Sequence, residues 1–221
     1  MHQLTERMDV AASAAKRPLS DIRLLAVSKK QPVDRIRALA ADGQTSFGEN
    51  YVDEAVAKMD ELADLELEWH FIGPVQSNKT RALAERFDWI QSVDRGKIVR
   101  RLNEQRPSDR AALNVLIQVN LDGEQQKAGC APEEIEDLAE AIAAAERLKL
   151  RGLMAIPAPR DEPQAQSEVF QRLRGYFDAL AAVYPSVDTL SAGMSADLEA
   201  AIAAGSTMIR VGTDLFGPRP E

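Results

Sequence analysis

The sequence predicts an α/β fold, a single (β/α)8 TIM barrel over residues 1–221 with one extra helix before the first strand. Eight short apolar runs alternate with longer amphipathic, alanine-rich stretches, a pattern that sets parallel strands inside a layer of helices. Eight such units in 221 residues fit a lean closed barrel better than an open doubly wound sheet, the rival arrangement. No long linker or break in composition marks a second domain.

The expected strands are Arg23–Ser28, Ser46–Glu49, Glu68–Ile72, Trp89–Ser92, Leu113–Asn120, Leu150–Ile156, Thr189–Ser191 and Met208–Val211. Between them helices are expected over Val33–Ala41, Asn50–Asp60, Lys79–Arg86, Lys97–Glu104, Pro132–Glu146, Gln164–Val183 and Ala196–Ala204. Pro132, Glu133 and Glu134 suit a helix first turn, where proline is tolerated and negative charge meets the positive dipole end. Gly43 and Gly205 stand where helices should stop. Met1–Leu19 reads as the extra helix.

Composition narrows the function classes. The chain is 45% hydrophobic and 28% charged with a net charge of −8, ordinary for a globular protein and unfavourable for a nucleic-acid surface. A local basic pocket for a small phosphate remains compatible with that charge. Cys130 is the sole cysteine, so no intrachain disulfide can form and a reducing cytoplasm is the expected setting. No apolar run approaches the roughly 20 residues needed to span a bilayer. Met1–Arg17 has no signal-peptide core.

In such barrels the working face is the C-terminal end of the strands, and phosphate commonly sits at the loops after strands seven and eight. Strand seven here runs into Ser191-Ala-Gly-Met-Ser195-Ala-Asp197, with hydroxyls, a glycine and a following helix N-terminus that favours an anion. Strand eight ends Arg210-Val-Gly212-Thr213-Asp214, adding a cation, a glycine and a hydroxyl. The plainer alternative is that Ser195 and Asp197 only cap a helix and Gly212 only turns the chain. Strand one ends in Ser28-Lys29-Lys30. A desolvated lysine there would have a lowered pKa and become a nucleophile toward aldehydes. Strand alternation sends one of the two lysines toward the barrel axis but does not say which. His70 reads as a core residue, Cys130 as structural, and Trp69 and Trp89 as packing between strands and helices. Two histidines, His2 and His70, supply no metal-ligand set, and no metal is expected.

Six blocks then recur in one order: Ala26-Val-Ser-Lys29; Phe47-Gly-Glu-Asn50-Tyr51; Trp69-His-Phe-Ile-Gly73 with Gln76-Ser-Asn78-Lys79; Gly152-Leu-Met154; Ser191 to Asp197; and Arg210-Val-Gly-Thr213. Over Leu24 to Arg219 the chain closely resembles the YggS/PROSC family of pyridoxal phosphate homeostasis proteins. The resemblance implies a barrel like the N-terminal domain of alanine racemase (fold type III among pyridoxal phosphate proteins), with pyridoxal 5'-phosphate at its mouth. It implies a Schiff base on Lys29 and a phosphate cradle of Ser195, Gly212 and Thr213 with Ser191 nearby. Arg210 would face the pyridine nitrogen, Asn50 would line the ring, Met154 would lie beneath the cofactor, and Lys127 would belong to a loop used in cofactor exchange. Ala192 departs from the family's usual methionine, a change without polar consequence.

Two function classes compete. One is a cofactor carrier and buffer supporting vitamin B6 homeostasis, monomeric, handing pyridoxal phosphate to apo-enzymes and assigning no residue a catalytic role. The other is a pyridoxal-phosphate-dependent amino-acid racemase or related enzyme. Racemases of this fold add a β-rich domain with a catalytic tyrosine, whereas this sequence stops at Glu221 and has only Tyr51, Tyr176 and Tyr184. A cofactor-free aldolase using Lys29 would not need two phosphate loops. The expectation is the carrier.

Overall fold

The computed structural model describes residues 2–124, 128–160 and 162–217. Eight parallel strands close into a barrel in chain order. They are β1 Arg23–Val27, β2 Ser46–Glu49, β3 Glu68–Phe71, β4 Trp89–Val93, β5 Leu113–Gln118, β6 Leu148–Met154, β7 Thr189–Ser191 and β8 Met208–Val211. Strand β1 pairs with β8 from Arg23↔Met208 to Ala26↔Val211, which closes the sheet and leaves no open edge. The helices are α1 His2–Ala14, α2 Val33–Ala41, α3 Val52–Glu61, α4 Thr80–Arg86, α5 Gly96–Gln105, α6 Ile135–Ala143, α7 Pro163–Val183, α8 Leu198–Ala203 and α9 Thr213–Phe216.

Strand alternation divides the apolar residues into two compartments. Phe47, Trp69, Phe71, Ile90 and Ile117 point outward and pack under the helices in the main core. Leu25, Val27, Ile72 and Met208 form one cluster on the axis, and Trp89, Leu116 and Met154 form another. Trp89 therefore corrects the expectation that both tryptophans pack between strands and helices. Its strand carries it to the axial side, where it stacks on His70 at 5.1 Å with an interplanar angle of 11°.

A bulge decides where Met154 points. Val115 pairs with Leu150, but the next residue, Leu116, pairs with Gly152, so Arg151 is the extra residue. One inserted residue exchanges the two faces of a strand beyond it, and Met154 thereby joins Leu116 inside the barrel. Gly152 is needed there: its φ is +140°, and a Cβ would lie 2.0 Å from the Thr189 carbonyl oxygen.

Most element bounds agree with expectation to within two residues, and the differences have local causes. Helix α3 starts at Val52 rather than Asn50, because Asn50 belongs to a bend against which Gly73 packs so closely that a Cβ would sit 2.3 Å from the Asn50 oxygen. Pro132–Glu134 forms a 3-10 turn before α6, which ends at Ala143. The initial helix stops at Ala14, with a separate 3-10 turn over Leu19–Asp21. Helix α9 spans only four residues, too few to show a period in sequence. Gly43 and Gly205 do end helices, with φ of +94° and +95°.

Candidate cofactor site

The end of β1 separates its two lysines. Leu25 and Val27 lie on the axis, and Ser28 turns outward, its hydroxyl donating to Glu49 Oε1 at 2.7 Å. Lys30 is exposed in the left-handed region at φ +60°, and its amide donates to Glu54 Oε1 at 2.5 Å. Lys29 is partly buried in the turn that follows β1, between Ser28 and the exposed Lys30. Behind this turn sits a buried ion cluster. Lys58 Nζ donates to the Ser28 carbonyl and to Glu49 Oε1, both at 2.7 Å, and to Glu54 Oε1 at 2.6 Å. Burial raises the Glu49 pKa, against the opposing pull of Lys58 and the Ser28 hydroxyl.

Strand pairing brings the other candidates to the same mouth. Val27 pairs with Gly48, two residues before Asn50. Met154 pairs with Ser191, and Ser191 pairs with Met208, two residues before Arg210. A Cβ on Gly212 would stand 3.2 Å from the Val27 carbonyl oxygen, so the loop after β8 abuts β1 just below Lys29. Met154 is fully buried and Asn50 partly so. Asn50 Oδ1 is shielded from water and has no hydrogen-bond partner, a vacancy of the kind that a polar ligand group fills.

Arg210, at the end of β8, is buried, 3% exposed. Its Nη1 donates to Ser191 Oγ and its Nη2 to the Ala155 carbonyl, each at 2.8 Å. Burial lowers its pKa to about 10, with Asp197 pulling the other way, so it stays cationic at neutral pH.

The two expected phosphate loops open onto helix starts. Ser195 lies in the turn before α8, whose N-cap is Asp197, and Asp197 Oδ1 accepts the Met194 amide at 2.6 Å. Gly212 is the N-cap of α9 and Thr213 its exposed first residue. Gly193, at φ +96°, allows the loop to pass Ala201, whose Cβ a side chain there would meet at 2.6 Å. Arg7 on α1 ties the loops together. Its guanidinium donates to the Ser195 carbonyl at 2.9 Å, to Glu199 at 3.0 Å and to Asp214 at 3.1 Å.

Other sequence candidates fall elsewhere. Lys127 lies outside the described residues. Cys130 is buried beside β5, its amide donating to the Gln118 carbonyl, and burial, then Glu134 and Asp94, push its thiol up to about 12. His70 is buried as expected, but within a polar chain that includes Gln91, a residue the sequence reading passed over. Gln91 was detectable as a long polar side chain within a strand-like run, Trp89-Ile-Gln-Ser-Val93. Among the described residues no group of three or more His, Cys, Asp or Glu could hold a metal ion, and no helix is long and apolar enough to cross a membrane. A surface groove of about 690 Å³ between α1 and α8 lies on the flank rather than at the mouth.

Comparison with known proteins agrees with this architecture. The pattern described as alanine racemase, N-terminal domain, matches residues 1–220. The pyridoxal phosphate homeostasis protein of Pseudomonas aeruginosa is 54% identical over 217 residues, covering 98% of this chain and 93% of its own. That of Escherichia coli K12 is 51% identical, with 98% and 94% covered. The structure of PipY from Synechococcus elongatus with pyridoxal phosphate bound superposes with a TM-score of 0.83 at 38% identity, covering 96% of this chain and 99% of that one. Alanine racemase of Clostridium difficile, at 16% identity and a TM-score of 0.71, shares the fold over 98% of this chain but only 57% of its own. The chain belongs to the pyridoxal phosphate homeostasis family, built on the barrel of the alanine racemase N-terminal domain.

Proposed function

We propose that this protein binds pyridoxal 5'-phosphate at the barrel mouth and serves as a non-catalytic carrier and buffer of it, with Lys29 holding the cofactor covalently. The observation that supports the reading is the convergence on one mouth of a partly buried lysine, a buried arginine and two helix-opening loops, next to an unpartnered Asn50 Oδ1. When bound, the cofactor supplies an aldehyde that condenses reversibly with amines. Lys29 offers the amine. Ser195, Gly212 and Thr213 present hydroxyls and backbone amides to the phosphate, with Ser191 beneath them. Asn50 borders the ring and Met154 forms its apolar floor, while Lys127 is left to exchange.

Arg210 stands where racemase-like barrels also carry an arginine, so it tempers the cofactor's chemistry without by itself separating carrier from racemase. A guanidinium can only donate hydrogen bonds, so against the pyridine nitrogen it keeps that nitrogen unprotonated and weakens the electron sink that carbanion chemistry uses. The relatives named for homeostasis are covered over 93–96% of their length, the C. difficile racemase over 57%. A monomer in the cytoplasm that passes its cargo to apo-enzymes is the form of the proposal. Its test is to add pyridoxal phosphate to the purified protein, record the visible absorbance, and mix the loaded protein with an apo pyridoxal-phosphate enzyme. Uptake followed by restored activity is expected. Uptake without transfer would reduce the role to storage, and no uptake would end the reading.

A further inference from the structure

A polar chain runs through the barrel interior from the foot of β3 to the mouth. Arg210 Nη1 donates to Ser191 Oγ at 2.8 Å, and Ser191 Oγ donates to Gln91 Oε1 at 2.7 Å. Gln91 Nε2 faces His70 Nδ1 at 2.9 Å, and His70 Nε2 lies 2.7 Å from Glu68 Oε1. Ser191, Gln91 and His70 are 0% exposed and Arg210 is 3% exposed.

The chemistry of the two ends sets the direction of every link. A guanidinium has donors only, and an ionised carboxylate only accepts. Ser191 thus receives from Arg210 and commits its own proton to Gln91 Oε1. Gln91 then turns its amide hydrogens toward His70 Nδ1 and toward Met208 Sδ at 3.1 Å. His70 Nδ1 must accept, so the imidazole is neutral with its proton on Nε2, donating to Glu68. The reversed glutamine would require a proton on Nδ1. Either the imidazole would then be a cation with no exposure, or its Nε2 lone pair would oppose the Glu68 carboxylate, and both are costly inside a protein. Burial lowers the His70 pKa in spite of Glu68. Glu68 stays ionised because, although burial would raise its pKa, His70, Arg23 and Trp89 together hold it below the ordinary range.

We infer that His70 and Gln91 are positioning residues for Arg210. A one-way hydrogen-bond chain anchored on Glu68 holds the guanidinium toward the ring nitrogen of the bound cofactor. This deepens the reading of Arg210 above and rests on it. Ala155 fixes one end of the guanidinium plane through its carbonyl. The chain fixes the other, because Ser191 presents a lone pair to Arg210 only while its proton is held by Gln91.

The test has two arms. In nitrogen NMR of the cofactor-free protein at neutral pH, His70 is expected as the neutral form protonated on Nε2. In titrations, affinity is measured for pyridoxal phosphate and for its analogue with the ring nitrogen replaced by C–H. His70→Leu is expected to weaken pyridoxal phosphate about tenfold, the scale of one hydrogen bond to a charged group, and to leave the analogue unchanged. Gln91→Met should repeat that selective loss. His70→Gln, whose amide can accept from Gln91 and donate to Glu68, should restore the native affinity. Equal losses for both ligands would mean a merely structural role and overturn the inference, as would a proton on Nδ1. If the native protein binds both ligands equally, Arg210 does not meet the ring nitrogen, and the Arg210 reading falls together with the positioning role. That outcome is distinct from failure to bind pyridoxal phosphate at all.

Discussion

Lys58 Nζ stands 2.7 Å from Glu49 Oε1 beneath the turn that carries Lys29, with side-chain exposures of 7% and 0%. Burying such a pair adds little net stability, but removing one partner strands the other, at about 3–5 kcal/mol. Lys58→Met should therefore destabilise by about that much. Glu49→Gln should be milder, since Lys58 keeps Glu54 and the Ser28 carbonyl. The pH dependence has a definite sign. The folded Glu49 pKa is raised, mainly by burial, so the folded state binds its proton more tightly than the unfolded chain. That contribution is fully present below the unfolded pKa, about 4.3, and is lost as pH rises through the folded value. In Lys58→Met the opposing pull is gone. Urea unfolding from pH 3 to pH 8 should then show its deficit growing with pH; a deficit independent of pH would exclude a stranded carboxylate.

The same cluster bears on the covalent attachment. It grips Ser28 and the Lys30 amide on either side of Lys29. Borohydride reduction of the loaded protein followed by peptide mapping should place the adduct on Lys29, with none on Lys30, which is exposed and carried in a left-handed turn. Lys29→Ala should lose the visible absorbance. Its full retention would move the attachment elsewhere.

How far the sequence shows this site depends on what periodicity can carry. All eight strands were legible, because each apolar run is short and punctuated, and placing chemistry at strand ends followed from the barrel itself. Which lysine faces inward was not, since parity needs a fixed reference. The structure separates the two by burial, Lys29 being partly buried and Lys30 exposed. Met154 faces inward only by virtue of the bulge at Arg151, and a one-residue insertion leaves no mark on composition. Lys58 looks like a helix-surface lysine in sequence, and Gln91 like a stray polar residue. Their partners are 9 and 100 residues away, at Glu49 and Ser191, beyond the reach of any local pattern.

Phosphate recognition should dominate affinity. A hydrogen bond to a charged group contributes about 1.5–3 kcal/mol, so Ser195→Ala should weaken binding roughly tenfold to a hundredfold. Gly212→Val should also bind less tightly. The cause is not backbone strain, since φ is −116°, but crowding against Val27, whose carbonyl oxygen a Cβ would meet at 3.2 Å. Arg7→Ala should give a smaller loss, by loosening the hold of α1 on both loops. Calorimetric titration with pyridoxal phosphate and with pyridoxal checks all three. Equal affinity for the two aldehydes would remove the cradle.

The loaded protein should not racemise, transaminate or decarboxylate amino acids at enzymatic rates. Racemisation needs a proton-transfer group on each face of the substrate Cα, and each such group contributes about 10²–10⁴-fold. Lys29 can serve one face. Of the three tyrosines, Tyr176 and Tyr184 line a groove on the α6–α7 flank, far from the strand ends, and Tyr51 is 52% exposed at the start of α3. An exposed phenol in water is a poor substitute for a buried, oriented base, which gains from exclusion of solvent around the reacting carbon. Arg210 removes a further part of the driving force by holding the ring nitrogen unprotonated. Reversible attachment suits a carrier, because an incoming amine can displace Lys29 by exchange. Loaded protein incubated with L- and D-amino acids in deuterated water should incorporate deuterium at Cα no faster than free pyridoxal phosphate does. Incorporation well above that rate, abolished in Lys29→Ala, would make the protein an enzyme; abolition in Tyr51→Phe as well would identify the second face.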